Sequence, residues 1–250
     1  EYQRSSGLYR TPGEMEGREL AFRIHTGVQA LYRSKHLAMG VMGGAEWIYP
    51  TQKAREYLTI NHGPALHQKA SVHGNWQKNQ IQFFGELAIS SNPSIACLIG
   101  SKYYFNDFVQ GGLLIHHYGN EYRGSYPSSY GSGSTIENEQ GMALNLHLEP
   151  GKFMTAELVS EIFRYPMPRY LTLVPSGGYR LDLSLQNPGK KTVQWRFRVV
   201  NKTWQSTPAT ETAKLRPLQV SRVTRMDVQL IYNQLDLFKW QSRLVISYYS

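Results

Sequence analysis

The sequence has one cysteine, Cys97, in 250 residues, which excludes an internal disulfide and any metal site built from several thiolates. No apolar run approaches the roughly 18 residues of a membrane helix. Charge is scarce at 18% of residues, against roughly 25% in an average soluble protein. Acids are scarcer still, with 18 Asp and Glu against 27 Lys and Arg, a net charge of +9. That balance suits an acidic partner but does not by itself indicate nucleic acid. The opening EYQRSSGLYR is no signal peptide, so a mature, trimmed or internal piece of a chain is expected. At this length one domain spanning 1–250 is the default reading.

What the sequence holds in quantity is rings, at 12% Phe, Trp and Tyr, and a period of two. In GMALNLHLEP, Met142, Leu144, Leu146 and Leu148 face one way, and Ala143, Asn145, His147 and Glu149 the other. Tyr179, Leu181, Leu183 and Leu185 oppose Arg180, Asp182, Ser184 and Gln186. Trp195, Phe197 and Val199 oppose Gln194, Arg196 and Arg198 in the same way. Alternation sustained like this predicts strands with one apolar and one polar face. Helical spacing competes nowhere over a comparable length.

Twelve strands are expected, near 18–33, 36–48, 65–76, 80–90, 94–104, 109–118, 141–149, 152–164, 177–187, 191–201, 218–232 and 237–249. Short connections follow the odd-numbered strands, at Ser34-Lys35, Gln77–Asn79, Asn106-Asp107, Pro150-Gly151, Pro188–Lys190 and around Gln234-Leu235. The others are long, near 49–64, 119–140, 165–176 and 202–217, with Ser91–Pro93 the exception. Short turns at one end and long loops at the other are the layout of a bacterial outer-membrane barrel, and the strand lengths suit a tilted crossing of the bilayer. An all-β, antiparallel transmembrane barrel is therefore the expected fold.

Parity extends the expectation. With the short turns in the periplasm, the first strand starts outside and the twelfth ends outside. Single-chain barrels normally have an even strand number and both termini in the periplasm. The twelve would then belong to a barrel of at least about fourteen, and this chain would be an internal portion of it. The competing possibilities are a complete twelve-stranded barrel and a soluble all-β carbohydrate-binding module.

Several segments carry a resemblance: EYQRSSGLYRTPGE, IQFFGELAIS, HHYGNEYRGSYPSSYGSGSTIENEQGMALNL and SEIFRYPMPRYL. In order and spacing they resemble the outer-membrane barrel region of Bacteroidota helix-hairpin-helix, competence-related proteins. The resemblance implies an outer-membrane location, an interior portion of a longer chain and a link to DNA uptake. The helix-hairpin-helix with its glycine hairpin is not in this sequence, so nucleic acid as a partner is implied by the resemblance alone.

The polar faces give candidates for a charged lumen lining: Glu157, Glu161, Arg180, Asp182, Arg196, Arg198, Arg225, Asp227, Lys239 and Arg243. Glu157 and Glu161 share a face about 13 Å apart. That is too far for a glycosidase pair, which wants roughly 5–9.5 Å. Across neighbouring strands such acids and arginines form salt-bridge ladders, or they line a selective channel. His116 and His117 point to opposite faces and cannot share an ion without a bulge, and no metal or other cofactor is expected. No phosphate loop, nucleophile elbow or triad spacing is present, so the chain reads as non-enzymatic.

The Tyr-, Ser- and Gly-rich stretch Gly119–Gln140 reads two ways. It is a ligand-binding or plugging loop that uses Tyr122, Arg123, Tyr126 and Tyr130, or a solvated loop whose tyrosines pack over the rim. Trp47, Trp76, Trp195, Trp240 and Tyr248 sit near strand ends, where aromatic girdles meet lipid head groups. The expected partners are outer-membrane lipid and other envelope proteins, with a role as pore, translocation component or scaffold.

Overall fold

The structure is a computed structural model that describes residues 22–49, 66–91, 94–122, 130–133, 136–151, 154–169, 172, 174–187, 192–207, 218–234 and 238–250. The described residues form twelve strands and no helix. In chain order they are β1 Phe22–Arg33, β2 Leu37–Tyr49, β3 Leu66–Lys78, β4 Ile81–Ser90, β5 Ile95–Asn106 and β6 Val109–Tyr118. Then come β7 Glu139–Leu148, β8 Thr155–Tyr165, β9 Ser176–Gln186, β10 Val193–Ser206, β11 Gln219–Gln234 and β12 Phe238–Tyr249. Each answers one expected strand. The largest departure is β10, which runs to Ser206 rather than 201, because Lys202, Trp204 and Ser206 continue the inward positions of the strand. Residues 18–21 of the first expected strand lie outside the described residues.

Every strand pairs antiparallel with its sequence neighbours, giving one sheet in the order β1 to β12. The connections are sorted as expected. The strand ends of β1/β2, β3/β4, β5/β6, β7/β8, β9/β10 and β11/β12 meet at one end of the sheet and are separated in sequence by two to six residues; at the other end only β4 and β5 are separated by so few. The second expected turn moves by about a residue, to Asn79-Gln80, where Asn79 takes a left-handed φ of 52° that asparagine tolerates. Gly151 supplies a φ of 81° at the Pro150-Gly151 turn.

The expected ring is only partly present, since the sheet is open. β1 pairs with β2 alone and β12 with β11 alone, and no register joins β1 to β12.

Register assigns each strand residue to one of two faces. One face is apolar from β1 to β12 and exposed, with Val28 75%, Ile99 59% and Leu244 59% accessible. On the other face ionisable groups are buried as deeply as the apolar Phe163 at 2%: His116 and Glu161 are 2% exposed and Glu139 is 0%. That is the reverse of a soluble sheet, whose apolar face is the covered one. The apolar cluster on the polar side is small, Ala88, Ala96 and Tyr118, with Tyr122 and Ile136 packed against it. It lies where the segment between β6 and β7 folds over the sheet, and that side is called inner below.

Candidate functional site

All ten charged candidates fall on the inner face, because the registers of β8 through β12 chain them together. Glu161 stands opposite Arg180, Arg198 opposite Asp227, and Arg243 opposite Gln229, which is opposite Arg196. Two aspartates organise this wall. Asp182 accepts from Arg198 Nε at 2.8 Å, from Arg198 Nη2, and from Arg180 Nη2 at 2.6 Å. Asp227 accepts from Arg243 Nε at 3.1 Å and from Arg243 Nη2, with Arg225 Nη2 3.8 Å away. Each unit is an Arg-x-Asp on one strand answered by an arginine 16 residues after the aspartate, on the next strand. The contact is diagonal: Asp182 sits opposite Val200 and Asp227 opposite Val245, two residues beyond the partner arginine in each case. Planar guanidinium meeting carboxylate in a fork is the strong form of this contact.

The second constellation holds the segment between β6 and β7. Its ends meet where the Asn138 N–H donates to the Gly119 carbonyl at 3.0 Å. Inside, Glu139 receives His116 Nε2 at 2.9 Å, the Ser132 N–H at 2.8 Å and the Gly133 N–H at 3.0 Å. Ser132 also shares a hydrogen bond with the Tyr165 hydroxyl at 2.9 Å, and its carbonyl accepts from Lys202 Nζ at 3.0 Å. Tyr118 donates to the Tyr130 carbonyl at 2.6 Å. Asn138 exchanges two hydrogen bonds with the Met167 backbone, at 2.8 and 2.9 Å. One short stretch of backbone is thus tied to β6, β7, β8 and β10. Buried acceptors and donors are costly when unpaired, so this many bonds fix the segment against the inner wall.

Of the four loop candidates, Tyr122 and Tyr130 lie in this inward fold, and Arg123 and Tyr126 fall outside the described residues. Burial pushes the Tyr122 phenol above its ordinary range. Burial, reinforced by the Glu161 charge, pushes Tyr130 up to about 12. Both phenols are neutral and serve as packing and hydrogen-bonding groups. Tyr130 also roofs a cavity of about 540 Å³ on the inner face, floored by Leu114, Ala143 and Val159 and edged by Asn145 and Glu157. Among the described residues no three His, Cys, Asp or Glu side chains converge as metal ligands.

Sequence reasoning missed Glu139, His116, Tyr165 and Lys202 as functional positions. Glu139 falls within the expected loop Gly119–Gln140, yet it is the first residue of β7. His116 and His117 do face opposite ways, His116 buried and His117 exposed. The value of His116 is its bond to Glu139, which nothing in local spacing announces.

No protein-family model and no curated protein matches the chain. The resemblance to helix-hairpin-helix proteins therefore rests on the quoted segments alone. Among solved structures the chain is weakly similar to a bacterial polysaccharide outer membrane secretin, at 10% identity over 90% of this chain and 87% of that one. The TM-score is 0.31.

Proposed function

We propose that these strands are the wall of an integral outer-membrane β-barrel, a non-enzymatic pore or translocation component of the bacterial envelope, narrowed by the inward segment between β6 and β7. The observation that carries this reading is the outer face. Among its described strand residues the charged ones are Lys78, Arg164 and Arg222, each within two residues of a strand end or near the loop rim. Between them the band carries no charge and is mostly apolar; the polar residues within it, among them Ser101, Ser160, Ser242 and the hydrogen-bonded pair Asn201 and Thr224, are small or paired, which lipid contact tolerates. Rings border it. Trp76 stacks on Phe83 with centroids 5.8 Å apart near the short turns, and Trp195 and Trp240 share that end. Trp47 and Tyr248 stand at the other end. From Trp240 to Tyr248 the strand covers about 27 Å, matching a hydrocarbon core.

The open edges of β1 and β12 belong to the same reading. An unpaired backbone group in hydrocarbon costs several kcal/mol, so further strands pair with both edges in the membrane. A soluble carbohydrate-binding sheet would need a second layer over the apolar face. Flotation tests the reading: the protein mixed with phospholipid vesicles should rise with them through a density gradient and resist extraction by carbonate or urea. Recovery of folded, monodisperse protein from buffer without detergent would overturn it.

A further inference from the structure

Charge on the inner wall is lopsided. On β9 through β12, seven cations share the inner face with two acids, Asp182 and Asp227. Both acids are already engaged by two arginines each. Adding Glu157 and Glu161 from β8 still leaves the cations in excess. A wall built only to be held together would match its signs, since like charges directly opposite are destabilising. Here Arg180 stands directly opposite Lys202. Arg196 faces Gln186 on one side and Gln229 on the other, with no acid across from it.

The cations also recur along the strands, with one gap at the rung of Gln194, Ile231 and Gln241. From the short-turn end, Lys239 comes first, and Arg243 and Arg196 share a rung two steps on. Arg198, then Arg225, then Lys202 with Arg180 occupy the next three rungs. Successive inward rungs are about 7 Å apart. An anion leaving one guanidinium is within reach of the next. The Arg198, Arg225 and Arg243 side chains are 36%, 48% and 52% exposed, so their free donors face the open side of the wall. At the top of the series Lys202 binds the Ser132 carbonyl, so the path ends against the inward segment.

We infer that the inner faces of β9 to β12 form a stepped path for small oxyanions of the phosphate or sulfate class. The Arg196 fork, with no acid across from it, matches two oxygens of such an ion, while Arg198 and Arg243 offer the donors left over from their aspartates; rows of Arg and Lys are how pores select anions. The inference rests on the membrane-pore reading above. It deepens that reading by assigning a charge class to what passes.

The test is conductance of the full protein in planar bilayers under a potassium chloride gradient, alongside vesicle flotation. The reversal potential should show chloride preferred severalfold over potassium, and millimolar inorganic phosphate should reduce the chloride current. A double variant, Arg196→Glu with Lys239→Glu, should bring the preference to unity or reverse it while the pore still conducts. These two positions lie outside both aspartate-centred units. Potassium preference in the parent, no effect of phosphate on its current, or an unchanged reversal potential in a conducting variant would overturn the inference. Should the variant not insert, the parent's selectivity and phosphate block still decide. Protein that floats with vesicles yet passes no current refutes the path and leaves the membrane reading standing. Protein that does not float refutes both.

Discussion

His116 and Glu139 meet diagonally across β6 and β7, Nε2 to Oε1 at 2.9 Å, with their side chains 0% and 1% exposed. A carboxylate this deep is tolerable because the Ser132 and Gly133 N–H groups complete its shell. The same two bonds tether the inward segment, so burial of the acid and position of the loop are one event. Glu139→Gln keeps the shape and removes the charge. It should cost about 1.5–3 kcal/mol, the worth of hydrogen bonds to a charged group. The segment between Gly119 and Asn138 should also be nicked faster by added protease in detergent micelles. Nicking at the parental rate would show that the acid does not hold the loop.

The two faces make opposite predictions for the same substitution. Leu144 and Leu183 lie on the outer face, 51% and 36% exposed, and Asn145 lies on the inner one. Arginine at either leucine near mid-membrane should cost about 2–4 kcal/mol in folding into liposomes. Asn145→Arg should be much milder. It is a cleaner control than Ser184, which stands opposite Arg198 and would add a like charge there. Equal losses at Leu144 and Asn145 would mean that lipid does not contact the apolar face.

How far the sequence carries is clearest at these positions. Leu144 and Asn145 are legible because alternation is a local property, and all twelve strands follow from it. The aspartate units needed more. Asp182 with Arg198 and Asp227 with Arg243 are visible only once the register is known, because the contacts are diagonal. The repeated spacing, Arg-x-Asp and an Arg 16 residues after the aspartate, is nonetheless a property of the sequence. Glu139 was not legible. Its environment is made by a loop returning over it, and a period of two says nothing of a loop's path. Lys202 is not legible because the apolar alternation fades at 201, whereas β10 runs on to Ser206.

Gly141 tests the inner wall from another side. A Cβ there would stand 2.5 Å from His116 Cε1 and 2.8 Å from the Ile162 carbonyl. The first contact can yield only by turning the imidazole away from Glu139, and the second is backbone. Gly141→Ala should therefore loosen the segment as Glu139→Gln does, with a loss of about 1–3 kcal/mol typical of overpacking. Gly43, where a Cβ would meet nothing within 4 Å, is the control. Thermal unfolding in micelles compares the two, and indistinguishable midpoints would contradict the close packing of His116.

Tyr130 gives the loop a signature in alkaline solution. Its phenol is held at about 12 by burial and by the Glu161 charge, above the ordinary 10.0. The seated loop therefore keeps a proton that the unseated loop gives up. Linkage sets the sign: the stabilisation is whole below pH 10, declines as pH climbs towards 12, and is lost beyond it. Tyr130→Phe should remove its share of that slope, leaving protease nicking of the segment less steeply dependent on pH across this window. The difference in tyrosinate absorbance between parent and variant isolates the group. Its midpoint should fall near 12, and a midpoint near 10 would put the ring in open water and the loop away from the wall.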